Sequence, residues 1–333
     1  PSPCRSRGII VRLSIVPANT NFDFVGRRRL AYPLSALLII LSIGAFFTQG
    51  LNFGIDFRGG ILIEIKTEGP ANVAELRSTV GGLGLGEVQV QEFGAPDDVL
   101  IRIQQQDGAE SEQLQAINIL KDALGDQVAE YRRTEFVGPT VGAELISSAI
   151  WAVVLAIGAI LIYIWFRFEW QFGVGAVIAL THDVVTTIGL FAFTQLEFNL
   201  ATVAAILTIA GYSINDTVVI YDRVREELRR YKKLDMPALL NLAANRTLSR
   251  TFMTSVTTLI ALIALAVFGG TIIRDFALAM IWGVIIGTYS SVFVAVPVLL
   301  ALNLSRQSLS AGLDESEQVE APEDDVPDTP SDK

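Results

Sequence analysis

The sequence predicts a membrane all-α bundle of six transmembrane helices, with an α+β domain inserted between helices 1 and 2. Three observations predict it. Of the 333 residues, 51% are hydrophobic, well above the share in an ordinary soluble chain. These residues gather into six runs, each close to the roughly 20 residues that cross a bilayer's hydrocarbon core. Between the first two runs, the pattern switches to alternating strand and helix periods.

Residues 1–29 are polar and irregular, end in Arg27-Arg28-Arg29, and read as a cytoplasmic N-terminal segment. The first span, 30–50, contains AYPLSALLIILSIGAFF. It resembles a signal-peptide core, but it is long and lacks a small-residue cleavage site, so an uncleaved span is expected. In residues 51–138, Ile61, Ile63 and Ile65 alternate with Leu62, Glu64 and Lys66, as in a strand. A helix is expected from Pro70 through Val80, broken by GGLGLG. EVQVQEF and DDVLIRIQQ alternate on either side of Gly94-Ala95-Pro96, which suits a hairpin turn. SEQLQAINILKDALG carries Leu114, Ile117 and Leu124 at helical spacing and stops at Gly125. A last strand over 128–137 completes the order βαββαβ, a ferredoxin-like α+β domain. Residues 139–304 hold helices 2–6, expected at 145–166, 171–193, 199–221, 252–269 and 276–303. A long basic loop is expected from Asp222 to Arg250, and a kink at Pro297. Residues 305–333 read as a disordered acidic cytoplasmic tail.

The net charge of −10 comes largely from nine acids in residues 314–332, so it implies no nucleic-acid partner. Cys4 is the only cysteine, which excludes an internal disulfide. No CxxC, HExxH or P-loop pattern occurs, and the single His182 cannot build a metal site unaided. No metal, cofactor or enzymatic activity is therefore expected. Six basic residues precede the first span and eight lie between Asp222 and Arg250, whereas Arg274 stands alone in the opposite short loops. This asymmetry puts both termini in the cytoplasm and the inserted domain in the periplasm, for a multi-pass protein of a bacterial cell (inner) membrane.

The polar residues inside the spans are the candidate site. Residues 199–221, NLATVAAILTIAGYSINDTVVIY, carry Asn215 and Asp216 within an apolar run. An Asp there costs about 2.5–3.5 kcal/mol on insertion scales, and it marks a functional site by default. On a helix, Tyr212 and Ser213 share its face, and Ala210 and Gly211 leave room for a neighbouring helix. The alternative is that Asp216 is interhelical hydrogen-bond glue. His182 and Asp183 lie midway along the third span, either as satisfied core residues or as functional partners. Arg250 opens the fifth span, where a snorkelling boundary arginine is the simpler reading. The functional reading is a switch. A carboxyl in oil takes up or releases a proton according to whether a guanidinium is near. A potential of about 100 mV supplies about 2.3 kcal/mol per charge moved across.

Four stretches occur in order within this architecture: FGIDFRGG (53–60), THDV (181–184), GYSINDTVVIYDRVRE (211–226) and NRTLSRTFMTS (245–255). Over about residues 18–303 the chain resembles the SecF family, the smaller membrane subunits of the bacterial SecDF preprotein translocase complex, in the resistance–nodulation–division superfamily. Its length and span count match SecF better than a SecD–SecF fusion. The resemblance implies pairing with SecD and association with the SecYEG channel. It also implies YajC and YidC as accessory partners, and a translocating preprotein that is pulled across the membrane lipids. The proton-motive force would complete preprotein export after the ATP-driven SecA step. By the same resemblance, Asp216 and Arg250 form the proton pathway, and Asp56, Arg58, Gly59 and Gly60 form a structural motif with a hinge. Two other readings compete. A small-molecule exporter of the superfamily usually carries two, much larger outer domains. A non-transporting scaffold for SecD would tolerate the loss of Asp216.

Overall fold

The computed structural model describes residues 20–86, 88–104, 106, 110–302 and 304. Cys4, most of the N-terminal segment and the acidic tail lie outside the described residues.

After helix α1 (Arg28–Gln49) the chain makes a short strand β1 (Asn52–Phe53) and one helical turn α2 (Ile55–Arg58). It then builds an α+β unit from β2 (Gly60–Thr67), α3 (Val73–Gly81), β3 (Val88–Phe93), β4 (Ala95–Ile103), α4 (Glu110–Leu124) and β5 (Val128–Val137). The sheet order is β3-β4-β2-β5, antiparallel throughout. The alternation of β2 explains why one sheet face is covered. Ile61, Ile63 and Ile65 are fully buried with Val99, Ile101 and Ile103 of β4, under Leu76 and Val80 of α3 and Leu120 and Leu124 of α4. Two boundaries differ from the sequence expectation. α3 starts at Val73, not Pro70, because the Asn72 side chain accepts from the Glu75 amide and caps the helix there. The β3–β4 turn uses Gly94 alone, not Gly-Ala-Pro, because Gly94 takes φ 93°, a left-handed setting open to glycine.

Among the described residues, six helices are long and apolar enough to cross a membrane: α1, α5 (Pro139–Arg167), α6 (Trp170–Thr194), α7 (Leu200–Arg230), α8 (Met236–Phe268), and α9 (Gly270–Ser290) continued by α10 (Val296–Ala301). The expected long basic loop from Asp222 to Arg250 is corrected. α7 and α8 run through most of it, leaving only residues 231–235 between them. Ion pairs hold these helical extensions. Glu227, fully buried, accepts from Arg246 at 2.7 and 2.9 Å and forms an ion pair with Arg223 at 2.7 Å. Beside them, Asn241 and Asn245, one turn apart on α8, bind the backbone of Val25 and Phe22 ahead of α1. A π-helical stretch, Ser291–Ala295, stands just before Pro297. It widens the turn where the proline ring would otherwise meet a carbonyl of the preceding turn.

α7 packs on α9 and the π-helical stretch after it through small residues one turn apart: Gly283, Gly287, Ser291 and Ala295. A Cβ added at Gly287 would stand 3.1 Å from the Cβ of Ser213, and one at Gly283 would collide with Ile209. Small residues allow such close approach in lipid, where apolar burial alone does not bring helices together.

The α+β unit is tied to the bundle at one junction. β1 pairs in parallel with β6 (Glu197–Phe198), and the Gly54 amide donates to the Phe198 carbonyl at 2.9 Å. Asp56 accepts from the Leu200 amide at 2.9 Å, at the positive N-terminus of α7. Arg102 of β4 ion-pairs with Glu197. Burial pushes Glu197 above the ordinary carboxylate value of 4.5; Arg102 opposes the shift, and Asp275 and Asp56 reinforce it. A carboxyl raised in the closed junction binds a proton there that the open junction releases. The junction is therefore tightest at low pH and loosens as pH rises from 4.5 through the raised value. Hydrogen exchange at the Gly54 amide, corrected for the intrinsic rate, is expected to report this loosening. Glu197→Gln is expected to flatten it; an unchanged slope in that variant contradicts the assignment.

Candidate functional site

The bundle gathers two buried carboxylates on neighbouring helices. Asp183 on α6 is 0% exposed and fully bonded. Its Oδ1 meets His182 Nδ1 at 2.9 Å, and its Oδ2 accepts from Ser213 Oγ of α7 at 2.5 Å and from Ser290 Oγ of α9 at 2.7 Å. Its backbone carbonyl accepts from Thr186 and Thr187, one turn on. One side chain thus joins three helices. The His182 ring lies against Tyr289, with centroids 6.0 Å apart, and its Nε2 is buried without a hydrogen-bond partner among the described residues. Tyr289 in turn donates to the Ala31 carbonyl of α1 and meets Ser35.

Asp216 on α7 is the opposite case. It is 3% exposed, yet its Oδ2 has no hydrogen-bond partner among the described residues. A buried polar atom left unpaired costs about 1–3 kcal/mol, more when charged. Among the described residues, the buried hydroxyl of Tyr212, one turn earlier, is also unpartnered, as is that of Thr251 beside Arg250. Arg250 lies exposed on α8, within electrostatic reach of Asp216 but without a direct ion pair among the described residues. Asn215 is exposed, so it does not share the buried face of Asp216.

The spacing that groups Tyr212 and Ser213 with Asp216 therefore divides in space. Ser213 serves Asp183, while Tyr212 and Asp216 both keep unpartnered oxygens. Asp56 caps α7, and Arg58 is exposed with no ion pair among the described residues. Gly59 and Gly60 take φ 71° and 116°, where side chains are strained. Sequence reasoning missed Ser290, Glu227 and Arg246. A serine in an apolar run and a basic stretch beyond a span carry no periodic signal, although the Arg223 to Glu227 spacing of four was available.

Comparison with known proteins identifies the family. Residues 117–305 match the family Protein export membrane protein SecD/SecF, C-terminal, and residues 44–71 match the SecD/SecF GG Motif. The chain is 51% identical over 298 residues to protein translocase subunit SecF of Magnetococcus marinus, covering 88% of this chain and 96% of that one. It is 45% identical over 295 residues to protein translocase subunit SecF of Rickettsia bellii, covering 87% and 96%. The crystal structure of SecDF, a translocon-associated membrane protein from Thermus thermophilus, superposes with a TM-score of 0.78 at 36% identity. That match covers 87% of this chain and 40% of the longer SecDF chain. With six apolar helices and this likeness along most of its length, the chain is a multi-pass membrane protein of the protein-transport class and belongs to the SecF family of protein translocase subunits.

Proposed function

We propose that this chain is the SecF-type half of a proton-driven unit. Together with SecD it completes preprotein translocation through SecYEG after the SecA ATP-driven step. The observation that carries the reading is Asp216, a buried carboxylate with an unpartnered oxygen on a membrane helix. In this reading Asp216 exchanges the proton. Arg250, on the adjoining helix, sets by its distance whether the carboxyl is held charged. His182, Asp183, Tyr212 and Asn215 support the pathway.

The pairing with SecD draws support from α7 itself. Ala204, Thr208, Gly211 and Asn215 form an exposed stripe of small and polar residues along the helix that carries Asp216, suited to close packing by another membrane helix. We place the protein in the bacterial inner membrane with both termini cytoplasmic. Residues 51–138 then form a ferredoxin-like periplasmic domain, supported by the strand order β3-β4-β2-β5. Residues 139–304 carry helices 2–6, and YajC and YidC are accessory partners. The motif Asp56, Arg58, Gly59 and Gly60 serves as the hinge between domain and bundle, supported by the positive φ of both glycines.

Arg250→Met is expected to lower proton-motive-force-dependent export about tenfold, equivalent to losing ~1.4 kcal/mol of charge interaction. Arg250→Lys is expected to retain part of it. Export measured in inner-membrane vesicles with and without an uncoupler decides the matter. Two variants that both behave as the parent reduce Arg250 to a topology marker.

A further inference from the structure

Within the apolar part of α7, the side-chain hydrogen bonds to α6 and to the 291–295 stretch fall on one stripe. Ser213, Thr217 and Tyr221 are successive turns of the same helix face. Ser213 donates to Asp183 of α6 at 2.5 Å. Thr217 Oγ1 meets Ser291 Oγ at 2.9 Å, and Ser291 Oγ donates to the Ser213 carbonyl at 3.3 Å. The Tyr221 hydroxyl donates to the Ala295 carbonyl at 3.2 Å. On a helix of about 3.6 residues per turn, Asp216 lies roughly 60° round the axis from Ser213 and 100° from Thr217. The stripe therefore fixes which way Asp216 turns.

Of these contacts, the one to Asp183 stands out. A hydrogen bond to a carboxylate is roughly twice as strong as one between neutral groups. Asp183 is also the only member of the set to accept from both α7 and α9 through one atom, Oδ2, by way of Ser213 and Ser290. We propose that Asp183 is a positioning residue for Asp216, clamping the rotation of α7 through Ser213 and of α9 through Ser290. The proposal rests on the reading of Asp216 as the proton-exchanging carboxyl. Asp183 does not carry the transported proton in this account; it fixes the setting in which Asp216 exchanges it.

Among the described residues, these charged or titratable groups contact the two carboxylates or stand next to them: His182 on α6, Tyr212 on α7, Arg250 on α8 and Tyr289 on α9. α1 reaches this region through Ser35, which meets Tyr289. α5 brings no hydrogen bond or ion pair to either carboxylate among the described residues.

The test measures the pH profile of proton-motive-force-dependent export by the full chain assembled with SecD, using a signal-bearing model preprotein. Ser213→Ala and Asp183→Leu each remove the clamp. Each is expected to move the pH midpoint by about one unit, a tenfold change in proton concentration, with assembly retained. Asp183→Asn keeps an acceptor oxygen for both serines, because the His182 tautomer can turn to accept from the new amide; it is expected to shift the midpoint less than half as far. If Ser213→Ala and Asp183→Leu leave the midpoint in place, the proposal fails. It also fails if Asp183→Asn is as damaging as Asp183→Leu, since Asp183 would then act through its own proton. If Asp183→Leu does not assemble, Ser213→Ala alone decides. A parent-like profile for Asp216→Asn, by contrast, overturns the underlying reading of Asp216.

Discussion

Asp216→Asn is expected to abolish the proton-motive-force-dependent part of preprotein export while the protein still assembles with its partner subunit. The two halves of that expectation come from one observation. Asp216 is buried with an unpartnered oxygen, so its charged form is poorly accommodated. An amide has nearly the same shape and no charge to desolvate, so the variant is expected to fold and assemble at least as well as the parent. What it loses is the exchangeable proton. A stable, assembled and inactive variant is the signature of a site kept at some cost to stability. Co-purification with SecD reports assembly, and export with and without an uncoupler reports coupling. Parent-level coupled export in Asp216→Asn leaves the scaffold reading in its place.

Glu227→Ala carries the largest expected loss of stability. Glu227 is fully buried between Arg246 and Arg223, which are themselves about a quarter exposed at 27% and 28%. Removing one partner of a buried ion pair costs about 3–5 kcal/mol because the remaining charge is stranded. Since both arginines reach solvent here, about 2–3 kcal/mol is the better expectation. Glu227→Gln keeps two hydrogen-bonding atoms and is expected to lose about half as much. Thermal unfolding of the detergent-solubilised protein measures both. The loss of order is expected to begin where α7 and α8 leave the apolar region, so proteolysis near residues 231–235 is the local readout.

The parts of the fold legible in the sequence were those with a strong period. Six apolar runs gave six spans, and the Ile61, Ile63, Ile65 alternation gave the central strand and its buried face. The helical extensions of α7 and α8 were hidden because their order comes from charge pairs, not from an apolar stripe. Asp183 and Asp216 stood out as acids within apolar runs, yet the residues that distinguish them did not. Ser213 and Ser290 reach Asp183 from 30 and 107 residues away in the chain, and a serine in an apolar run is unremarkable by composition. The two-residue strands β1 and β6 are too short for any period, although they tie the α+β unit to the bundle.

A proton-driven unit of this kind requires Asp216 to gain and lose a proton inside the protein. Difference infrared spectroscopy across a pH step, on the chain reconstituted with SecD in lipid, reads this through the carbonyl stretch of a protonated carboxylic acid. A band that appears on acidification, shifts in Arg250→Met and is absent in Asp216→Asn is the predicted result. A difference spectrum unchanged by Asp216→Asn contradicts the account.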